Sequence, residues 1–86
     1  MGVEYTLRVD PPDPERILPL LRRLPDSTET DRGFDLGPFG GGWPAASAAL
    51  DDEGVYFCDH GGGEAQIGLL VKWLAGEFGA VTVTEL

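Results

Sequence analysis

The sequence predicts a single α+β domain of element order β-α-β-β-α-β, and three observations carry that prediction. The chain has 86 residues, 42% of them hydrophobic and 24% charged, enough for one core and too few for a second. Both ends of the chain alternate apolar and polar residues with a period of two, as half-buried strands do. Two internal segments instead carry apolar residues at helical spacing. Two such helices bury their stripes most simply on one face of a four-stranded antiparallel sheet, the ferredoxin-like arrangement. The other sheet face then meets water, which is what clean alternation requires.

The first strand is read from Val3, Tyr5, Leu7 and Val9, which alternate with Glu4, Thr6 and Arg8. Asp10-Pro-Pro-Asp-Pro14 ends it, because consecutive prolines donate nothing to a ladder. Asp13 suits the N-cap of the first helix, Pro14 its first position and Glu15 its positive end. Ile17, Leu20, Leu21 and Leu24 share one face of that helix, and Arg16, Arg22 and Arg23 lie outside it. Pro19 predicts a kink or a short first turn, and Pro25 stops the helix.

Residues 26–47 read as one long loop rich in Gly, Pro and aromatic residues, with Phe34-Asp35-Leu36 as a candidate short strand inside it. Ala45–Leu50 is ambiguous. Alanine content favours a helical turn, whereas the Asp51-Asp52-Glu53-Gly54 turn leading into Val55–Asp59 favours a hairpin, which is the expectation adopted. Ile67, Leu70, Val71, Leu74 and Phe78 form the apolar stripe of the second helix, and Gly79 ends it. Ala80–Leu86 alternates as a last strand. No internal repeat or low-complexity segment occurs.

Fifteen acidic residues against six basic ones give a net charge of -9. That charge repels phosphate backbones, so no nucleic acid is expected, and it suits a basic protein partner. No apolar run approaches the roughly 20 residues a membrane span needs. The segment MGVEYTLRVD reads as neither a signal nor a transit peptide. Cys58 is the one cysteine, which suits a reducing compartment, so a cytoplasmic protein is expected.

The stretch VYFCDHGGGE (residues 55–64) places a thiol, a carboxylate and an imidazole in a row. His60-Gly-Gly-Gly63 resembles the HGGG segment of some lipases and esterases. No Gly-x-Ser-x-Gly elbow accompanies it, and the chain is too short for that fold, which excludes the match. On a strand, Cys58 and His60 share one face and Asp59 takes the other, so Asp59 cannot align His60 against the thiol. One Cys and one His fall short of a closed zinc site, and no metal or cofactor is expected. The glycines lack the Lys and Ser/Thr of a phosphate loop, and Asp59 and Glu64 flank them. The expected role of this stretch is therefore to turn a strand into a helix, with Asp59 or a loop carbonyl satisfying the helix start.

Two candidate surfaces remain. With Val55 and Phe57 in the core, Arg8, Tyr56, Cys58 and His60 fall on the outer sheet face, a candidate ligand face. It lacks the basic, aromatic pattern by which RRM domains stack RNA bases. Leu69 and Trp73 lie opposite the second helix's stripe, and Phe39 and Trp43 sit in the long loop. The four are candidate partner-binding residues, with the chain's own loop the expected cover for Leu69 and Trp73. Three functions follow as expectations: a non-catalytic protein-binding module, such as an immunity or antidote protein for a basic toxin; a small enzyme or ligand-binding domain on the sheet face; and a homodimer.

Overall fold

The computed structural model describes residues 2–86. Its elements are β1 (Val3–Arg8), α1 (Pro14–Arg23), β2 (Ser27–Glu29), β3 (Phe34–Leu36), β4 (Ala46–Asp51), β5 (Gly54–Asp59), α2 (Glu64–Phe78) and β6 (Thr82–Glu85). The strands form one antiparallel sheet in the order β2-β3-β4-β5-β1-β6. Ile17, Leu20 and Leu21 of α1 join Leu70 and Leu74 of α2 over Leu7, Val55 and Phe57, so both helices share one face. Among the described residues, no helix is long and apolar enough to cross a membrane.

The core is built on large-small-large rows across the sheet. Phe34 stands opposite Ala48, which stands opposite Phe57, and Tyr5 follows on β1. The alanines of β4 leave room for the two phenylalanine rings beside them. Phe57 is fully buried, and burying such a side chain contributes about 1.5–3 kcal/mol. The β4–β5 hairpin follows its expected form. The Asp51 Oδ1 accepts from the N–H groups of Glu53 (2.8 Å) and Gly54 (2.9 Å). Gly54 has φ 150° and packs on the Leu7 carbonyl, where no Cβ would fit.

Three expectations are corrected. The sheet has six strands and not four, because residues 27–29 and 34–36 form a short hairpin within the expected loop. Its turn is tied by the Thr30 N–H to the Gly33 carbonyl at 2.7 Å. The Thr30 hydroxyl accepts from the Arg32 and Gly33 amides. Next, α1 runs unbroken through Pro19. Pro19 is exposed, and only one intrahelical donor is lost there, while Ile17, Leu20 and Leu21 are buried on the opposite side.

The third correction concerns α2. Its buried line is Gln66, Leu70 and Leu74, turned by about 60° from the stripe centred on Ile67 at 100° per residue. Gln66 causes this. It is 4% exposed, and its amide nitrogen donates to the carbonyls of Pro25 (2.9 Å) and Gly37 (2.7 Å). The buried Gly37 carbonyl and the partly buried Pro25 carbonyl, both outside regular structure, would otherwise lack this donor. The rotation brings Leu69 and Trp73 down against the core, partly buried, instead of opposite it.

Candidate functional site

The outer face of the sheet is set by register. Asp35, Ser47, Cys58 and Glu4 stand side by side across β3, β4, β5 and β1. In the neighbouring row, Ala49, Tyr56 and Thr6 do the same. The Tyr56 hydroxyl donates to Glu4 Oε1 at 2.5 Å. That hydrogen bond, followed by burial and the nearby Cys58 and Glu4 charges, pushes the Tyr56 phenol well above its ordinary range.

His60 follows β5, its N–H donating to the Ala45 carbonyl at 2.9 Å. Its Nε2 lies 3.1 Å from Ser47 Oγ, and its Nδ1 lies 3.8 Å from Cys58 Sγ. Asp59 points to the other side and organises the turn. Its Oδ1 accepts from the N–H groups of Gly61 (2.8 Å) and Gly63 (2.9 Å). Burial pushes the Asp59 carboxyl up, but the amides of Gly61, Gly63 and Gly62 outweigh it, with a smaller contribution from His60, and hold it below its ordinary value. The chain direction therefore changes here through a side-chain cap on the glycine amides.

Ser47 is the aligning group for His60 that sequence spacing did not supply. Its position becomes legible only through the β4–β5 register, which pairs it with Cys58. The thiol is not open, however: a Cβ on Gly2 would sit 2.7 Å from Cys58 Sγ, so the backbone there covers the sulfur closely. Arg8 does not join this group. It pairs with Gly54 and Thr82 at the far end of β1 and lines a separate hollow with Asp10 and Ala80. His60 is six residues along the chain from Gly54, the partner of Arg8, a separation of about 20 Å. The expected four-residue ligand face is thus spread along the sheet, with Cys58 and His60 in contact at one end, Arg8 at the other and Tyr56 between them. Among the described residues, no three His, Cys, Asp or Glu side chains converge as a metal-binding group.

The second assembly lies beside His60. Gly40 and Trp43 form an isolated bridge, each N–H donating to the other's carbonyl at 3.0 Å. Gly41 (φ 59°) and Gly42 (φ 84°) between them supply the two left-handed residues that so tight a reversal needs. The turn holds Trp43 77% exposed and Phe39 49% exposed. A cavity of about 400 Å³ opens between this turn and His60, walled by Phe39, Trp43, Pro44, Ala45, Gly61 and Gly62. A second hollow of similar volume lies under the β2–β3 turn, lined by Arg32, Asp35, Ser47 and Tyr56.

The expected cover for α2 is therefore corrected. The Phe39–Trp43 loop faces Ala45 and His60–Gly62 across the cavity, and the group seated over Trp73 is the Arg23 guanidinium, 4.8 Å from the ring centre. Of the four candidate partner-binding residues, the fold brings Phe39 and Trp43 together at the surface and uses Leu69 and Trp73 in packing. No family model, curated protein or solved structure matches the chain.

Proposed function

We propose that the chain is a non-catalytic protein-binding module whose contact surface is the Phe39–Trp43 turn and the adjoining cavity at His60–Gly62, and that its partner is a basic protein. The observation that carries this reading is the 77% exposure of Trp43 on a doubly hydrogen-bonded glycine turn. A large ring held out to solvent by a rigid turn loses little entropy on contact, and tryptophan is the residue most enriched at binding hot spots. The net charge of -9 supports a basic partner, since opposite charge raises the association rate, and it opposes pairing with a second copy. An immunity or antidote protein for a basic toxin is the specific version this favours. The unpaired Cys58 suits a reducing, cytoplasmic setting.

The fold behind this reading is ferredoxin-like: the strand order β4-β5-β1-β6 with two helices on one face supports that core, and β2–β3 extends it by a hairpin. Affinity capture from the source cell tests the function. The immobilised chain is expected to retain one basic protein that elutes with salt, and the Phe39→Ala/Trp43→Ala variant is expected to lose it. Equal capture by both chains, or a strictly solitary protein, counts against the proposal.

The Ser47–His60–Cys58 alignment favours a second reading, a small enzyme or ligand-binding domain on the sheet face. With the Nε2 proton held toward Ser47 Oγ, Nδ1 turns its lone pair to the thiol, the arrangement a nucleophilic cysteine uses. Alkylation of Cys58 against pH decides it. A midpoint near the ordinary thiol value of about 8.5, unchanged in His60→Ala, removes the nucleophile.

A further inference from the structure

We infer that the cavity beside Trp43 takes an arginine-bearing peptide segment of the partner, with the guanidinium stacked on the Trp43 indole. This rests on the protein-binding reading above and names the chemistry of its ligand. The first support is that two partly exposed rings of the chain already carry an arginine. Arg16 lies 4.3 Å over Phe78, and Arg23 lies 4.8 Å over Trp73. Among the described residues, no cation lies over Phe39 or Trp43, the two most exposed rings.

The second support is the supply of cations. The chain holds six basic residues. Arg16 and Arg22 are in ion pairs with Glu77 and Glu29, Arg23 is seated on Trp73, Arg8 lines the hollow at the far end of β1, Arg32 lines the hollow under the β2–β3 turn, and Lys72 is exposed on α2. An acidic chain with no Arg or Lys lining this cavity meets the quadrupole of an open indole best with a cation from outside. The walls suit such a ligand. Phe39, Pro44 and Ala45 give apolar flanks for an arginine's methylene stem, and Gly61 and Gly62 place backbone beside it. Among the described residues, no N–H donates to the Gly61 or Gly62 carbonyl, which leaves acceptors for a guanidinium.

The two tryptophans make the test internally controlled. The isotope-labelled full chain is titrated at physiological salt with a short Arg-Gly-Ser repeat peptide, and separately with the same peptide carrying citrulline for arginine. The indole N–H signals of Trp43 and Trp73 are followed together with the amides of Gly61 and Gly62. The expected result is movement at Trp43, Gly61 and Gly62 with Trp73 unmoved, and a loss of about five- to tenfold in affinity in Trp43→Ala. The citrulline peptide is expected to lose as much. An unchanged Trp73 signal shows that the variant keeps its fold. Shifts scattered over the acidic surface, undiminished affinity in Trp43→Ala, or equal binding of the citrulline peptide would each overturn the inference. If the arginine peptide fails while capture from the cell still depends on Trp43, the partner chemistry is wrong and the binding reading stands. If neither depends on Trp43, both fall.

Discussion

Trp73 and Trp43 are the same residue in opposite circumstances. Trp73 rides on a 15-residue helix, packs against the core and carries Arg23 on its face. Trp43 sits on a glycine turn with most of its surface in water. In sequence, the first looked like the one in need of cover from the loop, because it falls outside the apolar stripe of its helix. The difference teaches that cover is a tertiary property. A buried glutamine turned α2 by part of a turn and consumed the apparent patch, whereas the aromatic residues of the loop, Phe39 and Trp43, stay exposed. An exposed ring left over after the core is complete is available for recognition.

The largest expected contrast is in stability. Trp73→Ala removes packing from the core edge and a cation contact, and should lower unfolding free energy by about 2 kcal/mol. Trp43→Ala should stay within about 0.5 kcal/mol of the parent. Urea unfolding of the two variants measures both, and equal losses would erase the distinction. The next effect is at Gln66, which joins the two regions by holding the carbonyl at the root of the loop, Gly37, and that of Pro25. Gln66→Ala should cost about 1–3 kcal/mol, since the buried Gly37 carbonyl and the partly buried Pro25 carbonyl lose their donor. It should also raise hydrogen exchange at the Gly40 and Trp43 amides, and unchanged exchange there would detach the turn from the core.

Asp59 gives the smallest effect and one with a pH signature. Asp59→Asn should destabilise by about 1 kcal/mol at neutral pH by weakening the cap on the glycine amides. The folded-state carboxyl is held below its ordinary value, so its contribution is present above the unfolded value of about 3.9. It is lost as pH falls through the lower, folded value. The gap between parent and variant should therefore close in acid, and a gap that persists below both values would assign Asp59 another role.

Much of the fold was legible, and the reasons are local. Alternation in Val3–Val9, the capped stripe beginning at Asp13 and Gly79 after Phe78 each depend on neighbours within a few residues. The β2–β3 hairpin was not legible, because strands of three residues are too short to display a period. Gln66 reads in sequence as a polar position, since its partners lie 41 and 29 residues away in the chain. Of the candidate site, the outward placement of Tyr56, Cys58 and His60 followed from a single register choice. The contact of Ser47 with His60 required knowing which strand lies beside which.

The most direct measurement places a photo-crosslinking amino acid at position 43 and, in a second chain, at position 73, and illuminates both in the source cell. A covalent adduct to one basic protein is expected from position 43 and none from position 73. Adducts absent at 43, or identical at the two positions, would contradict it.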